Sequence, residues 1–349
     1  MARIVLADDG IAFDGRTPES RPLGGVESSV VALTEELARR GHEVLVRNMC
    51  ETPLFHNGVD WRPLHDGGEY ANVPERADLY IANRGHRLLD LVPRARRVAF
   101  WTHNPCRYVL KWRYLRRLWT RRPVFLFIGD YHAETLPGWV PEGGRKVVPY
   151  GLPEAFRTAE PARVAPPPRA IFTSNPLRGL DWLLVRWENE IHPKAPEAEL
   201  HVFSGAATYG LAGDAGAESM NTALDNAEAL ASKGVVLRGA VPKSQLIDEL
   251  REARCMLYRG DLNETFCLAV GEAQAMGVPA VVKDLGSMRE RVVDGKTGFV
   301  CSDDRTFGDA AVRLLTDAGL WTEQHRSALE TQRSRDWREA ADAFEELLP

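Results

Sequence analysis

At 349 residues, 44% hydrophobic and 27% charged, the chain is long enough for two cores and has the composition of ordinary soluble globular proteins. No apolar run is long enough to span a bilayer, and charge enters too early in MARIVLADDG for a secretory signal, so a cytoplasmic protein is expected. Five scattered cysteines, odd in number and without a C-x-x-C, argue against a disulfide framework or a zinc site and read as small core residues.

Arg3 to Ala7 reads as a first strand, followed by a loop through Pro18, Pro22, Gly24 and Gly25. Glu27, Val30, Val31, Leu33, Thr34 and Leu37 then carry helical periodicity up to Gly41, and His42 to Val46 is the next strand. The Gly24-Gly25 pair lets backbone approach a ligand closely, or it is simply a turn. No G-x-G-x-x-G follows this strand, which weighs against a dinucleotide dehydrogenase. Further strands are expected at Leu79 to Ala82, Val98 to Trp101 and Val124 to Ile128, with Val147-Val148 closing the half. Strands alternating with helices predict a doubly wound parallel sheet, whose ligands gather beyond the strands' carboxyl ends. His103, just after VAFWT, stands at such an end.

Charge is unevenly spread: the whole chain is −5, yet residues 91–129 hold ten cations and no acid. Between Arg107 and Arg122 these cations alternate with Tyr108, Trp112, Tyr114 and Trp119. Helical spacing gathers Val109, Trp112, Leu115, Leu118 and Trp119 on one face and leaves Lys111, Arg113, Arg117 and Arg121 mostly elsewhere. Such an element either buries its stripe in the core or docks on an anionic lipid surface, with Lys111, Arg113, Arg116 and Arg117 as the candidate contacts. No nucleic-acid motif accompanies the charge, so a nucleic-acid partner is not expected.

Glu154 to Pro168, with four prolines, reads as a semi-rigid linker. A second sheet is predicted from Ala170 to Thr173, Leu200 to Phe203, Val235 to Leu237, Cys255 to Tyr258, Pro279 to Val282 and Gly298 to Val300. The chain therefore divides into residues 1–155, a linker 156–168, residues 169–332 and a C-terminal helix within 333–349, the helix packing back on the first half. Two similar α/β halves facing across a cleft are expected. The glycine- and alanine-rich stretch Ala206 to Met220 reads as a mobile loop. Ser174-Asn175-Pro176-Leu177-Arg178-Gly179 follows the first strand of this half and opens a helix near Leu180, from which Arg178 can reach a diphosphate.

The stretch Gly260 to Val282 joins two buried strands through a crossover helix expected to begin at Thr265. Phe266, Cys267 and Leu268 would then offer N–H groups to an anion at the helix N-terminus, where the macrodipole favours negative charge. Glu272 lies two turns further in, about 10 Å along the axis, and suits a group beyond a phosphate, such as a ribose whose two hydroxyls one carboxylate can accept. Glu264 precedes the helix on the phosphate's other side. On spacing alone the commoner reading of the two acids is a favourable charge near a helix start and a solvated helix residue.

Taken in order, these features resemble the GT-B glycosyltransferases, specifically glycosyltransferase family 4, over nearly the whole chain. Gly24-Gly25-Val26-Glu27 is similar to the family's G-G-x-E loop, His103 to its histidine after a first-domain strand, Arg178-Gly179 to its basic-glycine donor loop, and Glu264 to Glu272 to its E-x7-E signature. The resemblance implies two Rossmann-like domains and retaining hexosyl transfer from a nucleotide-diphosphate sugar, a UDP-sugar for preference. The second domain would hold this co-substrate, and the first a glycan, glycolipid or lipopolysaccharide-type acceptor. It implies that Glu264 holds donor-sugar hydroxyls, Thr265, Phe266, Cys267 and Leu268 line the diphosphate, and Glu272 binds ribose. Arg178 would neutralise the diphosphate beside Ser174 and Asn175, Gly24 and Gly25 would approach it from the opposite domain, and His103 would contact the sugar. Base contacts would be made by backbone near Arg238 to Val241.

Two departures qualify the pattern. Ser174-Asn175 stands where the family commonly has a glycine-arginine pair, so one expected cation is absent, and Arg178 replaces a lysine. No D-x-D occurs in the chain, and the expectation is catalysis without a metal or other cofactor. Association with the inner membrane face would bring a lipid-linked acceptor within reach. The competing readings are a nucleotide-sugar epimerase on a similar scaffold and a non-catalytic nucleotide-sugar-binding subunit.

Overall fold

A computed structural model describes residues 1–21, 23–205 and 215–349, arranged as two compact units. The first comprises Met1–Gly151 with Asp336–Pro349, the second Leu152–Arg335.

The first unit is built on an eight-stranded sheet. From one edge its strands are Gly144–Val147, Val124–Phe127, Arg94–Trp101, Arg76–Asn83, Arg3–Asp8, Glu43–Asn48, Val59–Pro63 and Leu54–His56. All neighbours pair in parallel except the last two. That outer hairpin was not anticipated. It turns at Asn57 and Gly58, both left-handed at φ 46° and 81°, a pairing that matches the twist of a two-residue hairpin loop. The strands through the middle are apolar on both faces, as helices covering both sides of a parallel sheet require: Ile4, Val5, Leu6, Leu79, Tyr80 and Ile81 are fully buried.

The helix Gly25–Arg39 covers this sheet with Val30, Leu33 and Leu37 buried. The C-terminal helix Trp337–Glu345 packs against it, capped by Asp336, whose carboxylate accepts from the N–H groups of Arg338 and Glu339. Its Phe344 meets Trp101 edge-on at 5.3 Å, while Arg40 is bound by Asp342 at 2.5 Å and Glu345 at 2.6 Å.

The second unit carries six strands, all parallel, in the order Val235–Leu237, Glu199–Val202, Arg169–Phe172, Cys255–Tyr258, Ala280–Lys283, Gly298–Cys301. Each was legible in sequence because short apolar runs ended by Gly or Pro leave few alternatives. Three expectations differ. The segment read wholly as linker contains a short helix, Glu154–Thr158, because Phe156 is fully buried in the second core. The stretch expected as a loop at 206–220 lies outside the described residues up to 214, and Ala215–Ala229 is helical. The crossover helix spans Leu268–Ala275, three residues later than expected, because Cys267 is left-handed at φ 62° and cannot belong to it.

All five cysteines are free and buried, and burial pushes the thiols of Cys50 and Cys301 up to about 11 and that of Cys255 to about 12.

Candidate functional site

In the second unit, Arg178 and Glu264 meet at the carboxyl ends of adjacent strands. Gly179, left-handed at φ 96°, caps the start of the helix Leu180–Arg186 directly after Arg178. Asn175 shapes the preceding turn, its side-chain oxygen accepting the Leu177 N–H at 2.9 Å and its carbonyl the Arg178 N–H at 2.9 Å. Ser174 contributes its carbonyl, which accepts from Ser204 Oγ at 2.7 Å.

Glu264 is buried, and its carboxylate is fully engaged. Oε1 accepts the Cys267 N–H at 3.1 Å, and Oε2 accepts the Tyr258 hydroxyl at 2.9 Å and the Arg178 guanidinium. Its backbone is pinned by the Ser287 N–H at 3.0 Å, and Gly286, left-handed at φ 58°, leaves no room for a Cβ against the Asp261 and Glu264 carbonyls. Burial opposes the charge on Arg178, and the adjacent Glu264 carboxylate together with Tyr258 and Cys267 outweighs it, holding the guanidinium above its ordinary range. The Cys267 N–H, expected to be offered to an anion, is thus spent inside the protein. Thr265 and Phe266 are buried ahead of it, and Leu268 opens the helix, so its positive dipole end lies immediately beyond Cys267.

Glu272, one turn inside that helix, is 3% exposed. It is bound at Oε1 by Lys243, the first residue of the helix Lys243–Arg251. Beneath the turn, Arg291 lies over the Phe266 ring at 4.0 Å. It is buried, its Nε and Nη1 have no partner among the described residues, and burial lowers its pKa to about 9. Tyr258, Lys243 and Arg291 were not singled out in the sequence. They contact the expected residues only through the fold, and no spacing announces them.

In the first unit His103 is buried in a directed chain of hydrogen bonds. Asn83 donates its amide to Asp8, which leaves Asn83 Oδ1 to face His103 Nε2 at 2.5 Å. Nε2 must then carry the proton, and Nδ1 accepts from the Tyr150 hydroxyl. Burial first, then the nearby Arg84 and His132, keep the imidazole neutral by driving its pKa well below the usual range. Both ring nitrogens are therefore taken up within the unit, and a sugar hydroxyl would have to displace Asn83 or Tyr150 to reach one. Arg84, left-handed at φ 56°, joins the same strand ends by binding Asp8 at 3.1 Å and Glu27 at 2.9 Å. A Cβ on Gly24 would stand 2.5 Å from the end of the Glu27 side chain. Gly25 begins the helix behind it. Polar residues ending two parallel strands that lie side by side in the sheet, Asp8 and Asn83, are the available signal for this network.

The basic helix Trp112–Arg121 corrects the expected facing. Its core side is Tyr114 and Leu118, whereas Trp112 and Trp119 are 72% and 67% exposed. Seven residues apart, they share a face with exposed Arg116. Arg117, expected as a surface contact, is bound to Asp90 at 2.7 Å, and Arg121 shares that acid at 3.0 Å. Lys111 and Arg113 remain exposed.

Residues 168–317 match the family described as Glycosyl transferases group 1. A D-inositol 3-phosphate glycosyltransferase of Xylanimonas cellulosilytica is 32% identical over 136 residues, 37% of this chain and 32% of that protein. The chain thus spans about a third of the length of the curated relatives it matches. Among solved structures, sucrose-phosphate synthase from Thermosynechococcus elongatus superposes with a TM-score of 0.74 at 16% identity, over 99% of this chain and 97% of that one. Anabaena HepE in complex with UDP and glucose gives 0.71 at 13% identity, over 100% and 99%. At such identities the likeness is one of fold.

Proposed function

We propose that this chain, which has the GT-B fold and a Glycosyl transferases group 1 segment at residues 168–317, is a retaining hexosyltransferase using a nucleotide-diphosphate sugar. The observation that carries the reading is the cluster of Arg178, Glu264 and Tyr258 before the N-terminus of the helix Leu268–Ala275. A guanidinium, a helix dipole and a buried acid converge where a sugar diphosphate presents its leaving group and hydroxyls.

In this reading the bond from the anomeric carbon to the diphosphate breaks as the bond to an acceptor hydroxyl forms, and the acceptor's proton leaves with the diphosphate. Negative charge grows on the leaving group, and the positions of Arg178 and the helix N-terminus are fixed before the reaction, so they stabilise it without reorganising. Glu264 exchanges part of its bond to Arg178 for sugar hydroxyls. Glu272 takes the ribose. UDP is the preferred nucleotide because solved structures of this fold hold it, HepE among them.

The acceptor falls to the first unit, where Asp8, Asn83, Arg84 and His103 form a polar floor at strand ends. A lipid-linked or lipopolysaccharide-type acceptor suits the exposed face of Trp112, Arg116 and Trp119. Tryptophan favours the headgroup level, and each cation adds about 1 kcal/mol at an anionic surface. Among the described residues no helix is long and apolar enough to cross a membrane. Incubation with UDP-hexoses and a glycolipid panel, followed by NMR of the product anomer, tests the reading. A product keeping the donor's anomeric configuration supports it, and an inverted product rejects the retaining assignment.

A further inference from the structure

We propose that Lys243 is a nucleotide-binding residue, acting with Glu272 as a two-residue reader of the ribose cis-diol. This rests on the donor reading above and adds to it a residue and a selectivity.

Glu272 is almost wholly buried, and Lys243 is the one partner of its carboxylate among the described residues, held at Oε1. The lysine is itself held in place: its ammonium lies 5.3 Å over the ring of Phe156, which is fully buried on the short helix Glu154–Thr158. That segment also presses on the helix of Glu272, since a Cβ on Gly271 would stand 2.9 Å from Leu152. One platform, Leu152 to Phe156, therefore fixes both members of the pair. The Lys243 side chain is nonetheless 47% exposed, whereas that of Glu272 is 5% exposed, so the pair has a wet end and a buried end.

The chemistry of a vicinal diol fits this arrangement. Each hydroxyl donates one hydrogen and accepts others. A lone carboxylate takes the donated hydrogens and leaves both oxygens without donors. An ammonium has three N–H groups, of which Glu272 takes one and the Phe156 face attracts another. The remaining donor can serve a ribose oxygen while Glu272 Oε2 accepts the neighbouring hydroxyl. A ribose fills both roles; a dideoxyribose fills neither. A purely structural lysine, present only to neutralise a buried acid, would confer no such discrimination.

The test compares dissociation constants by calorimetry for wild type and Lys243→Met. The probes are the tightest binder of UDP, GDP and ADP and its 2′,3′-dideoxy analogue. Lys243→Arg serves as the conservative control. The ratio of the two constants is taken within one preparation, so partial loss of folded protein does not alter it. The expected result is that dideoxy discrimination falls about tenfold in Lys243→Met and is largely retained in Lys243→Arg. An unchanged ratio in Lys243→Met, whether both ligands weaken together or neither does, overturns the inference and leaves the donor reading standing. If folded wild type binds none of the three nucleotides, the donor reading fails and takes this inference with it.

Discussion

Arg178 and Glu264 stand 86 positions apart in sequence and form a direct ion pair at the carboxyl ends of adjacent parallel strands, with the Glu264 side chain only 8% exposed. The pair gives each partner a counter-charge before any ligand arrives, so the buried carboxylate is compensated and correctly aimed. Glu264→Gln keeps the shape and the Cys267 N–H acceptor but loses the charge. Turnover is expected to fall at least about 100-fold, or roughly 2.7 kcal/mol of transition-state stabilisation, while the nucleotide dissociation constant changes much less. Steady-state kinetics beside calorimetry separates the two; equal, small effects on both would remove Glu264 from the chemistry.

The two tryptophans of the basic helix are expected to serve binding and not stability. Trp112→Ala with Trp119→Ala should cut sedimentation with anionic vesicles at least about tenfold and leave the unfolding midpoint nearly unchanged, since surface substitutions away from special features cost roughly 0.5 kcal/mol or less. Leu118→Ala, on the buried side, should instead cost about 2–5 kcal/mol. Vesicle binding that survives loss of both tryptophans would exclude this face as the membrane contact.

Stability of the first unit should decline in mild acid. His132 is fully buried; its Nδ1 accepts the Ile128 N–H at 3.2 Å, and its Nε2 faces the Asn104 carbonyl at 2.9 Å. Burial lowers its pKa to about 4, against about 6.5 unfolded. Between those values the unfolded chain binds the extra proton, so the stability is fully present above the unfolded pKa and is lost as pH falls toward the folded one. From pH 6.5 to 5 the loss is about 1.6 kcal/mol, and buried His103 adds in the same direction. Thermal melts across this range check it: a midpoint independent of pH would contradict the neutral assignment, and His132→Gln should flatten the slope.

Transfer is expected to continue in excess chelator, since the chain lacks the D-x-D pair that would be the usual metal handle. A rate abolished by chelator and restored by manganese would contradict this.

Much of the second unit was readable in sequence because its strands are buried on both faces and closed by glycine or proline, a pattern with few competing interpretations. The E-x7-E pair was readable too, but not the partners of either acid. Lys243 lies 29 positions before Glu272 on a different helix, and only the sheet order brings them together. The late helix start turned on one backbone angle, at Cys267, a residue that gives no warning of a left-handed conformation. The basic helix misled because tryptophan suits both a core and an interface. Periodicity grouped Trp112 and Trp119 with Leu118, while the core needed only Tyr114 and Leu118. Asn57-Gly58 is the two-residue hairpin signal that the letters carry for the outer pair of strands.

The most direct test of the central claim is a thermal-shift panel of UDP, GDP, ADP and their sugar conjugates, run on wild type and Glu272→Ala. A ligand bound only by the folded state at 100 times its dissociation constant adds about 2.7 kcal/mol. The account predicts a selective shift with one nucleotide, UDP foremost, that is largely lost in Glu272→Ala. No shift with any of them in a folded sample, or an equal shift in the variant, would contradict the assignment of the second unit as the donor site.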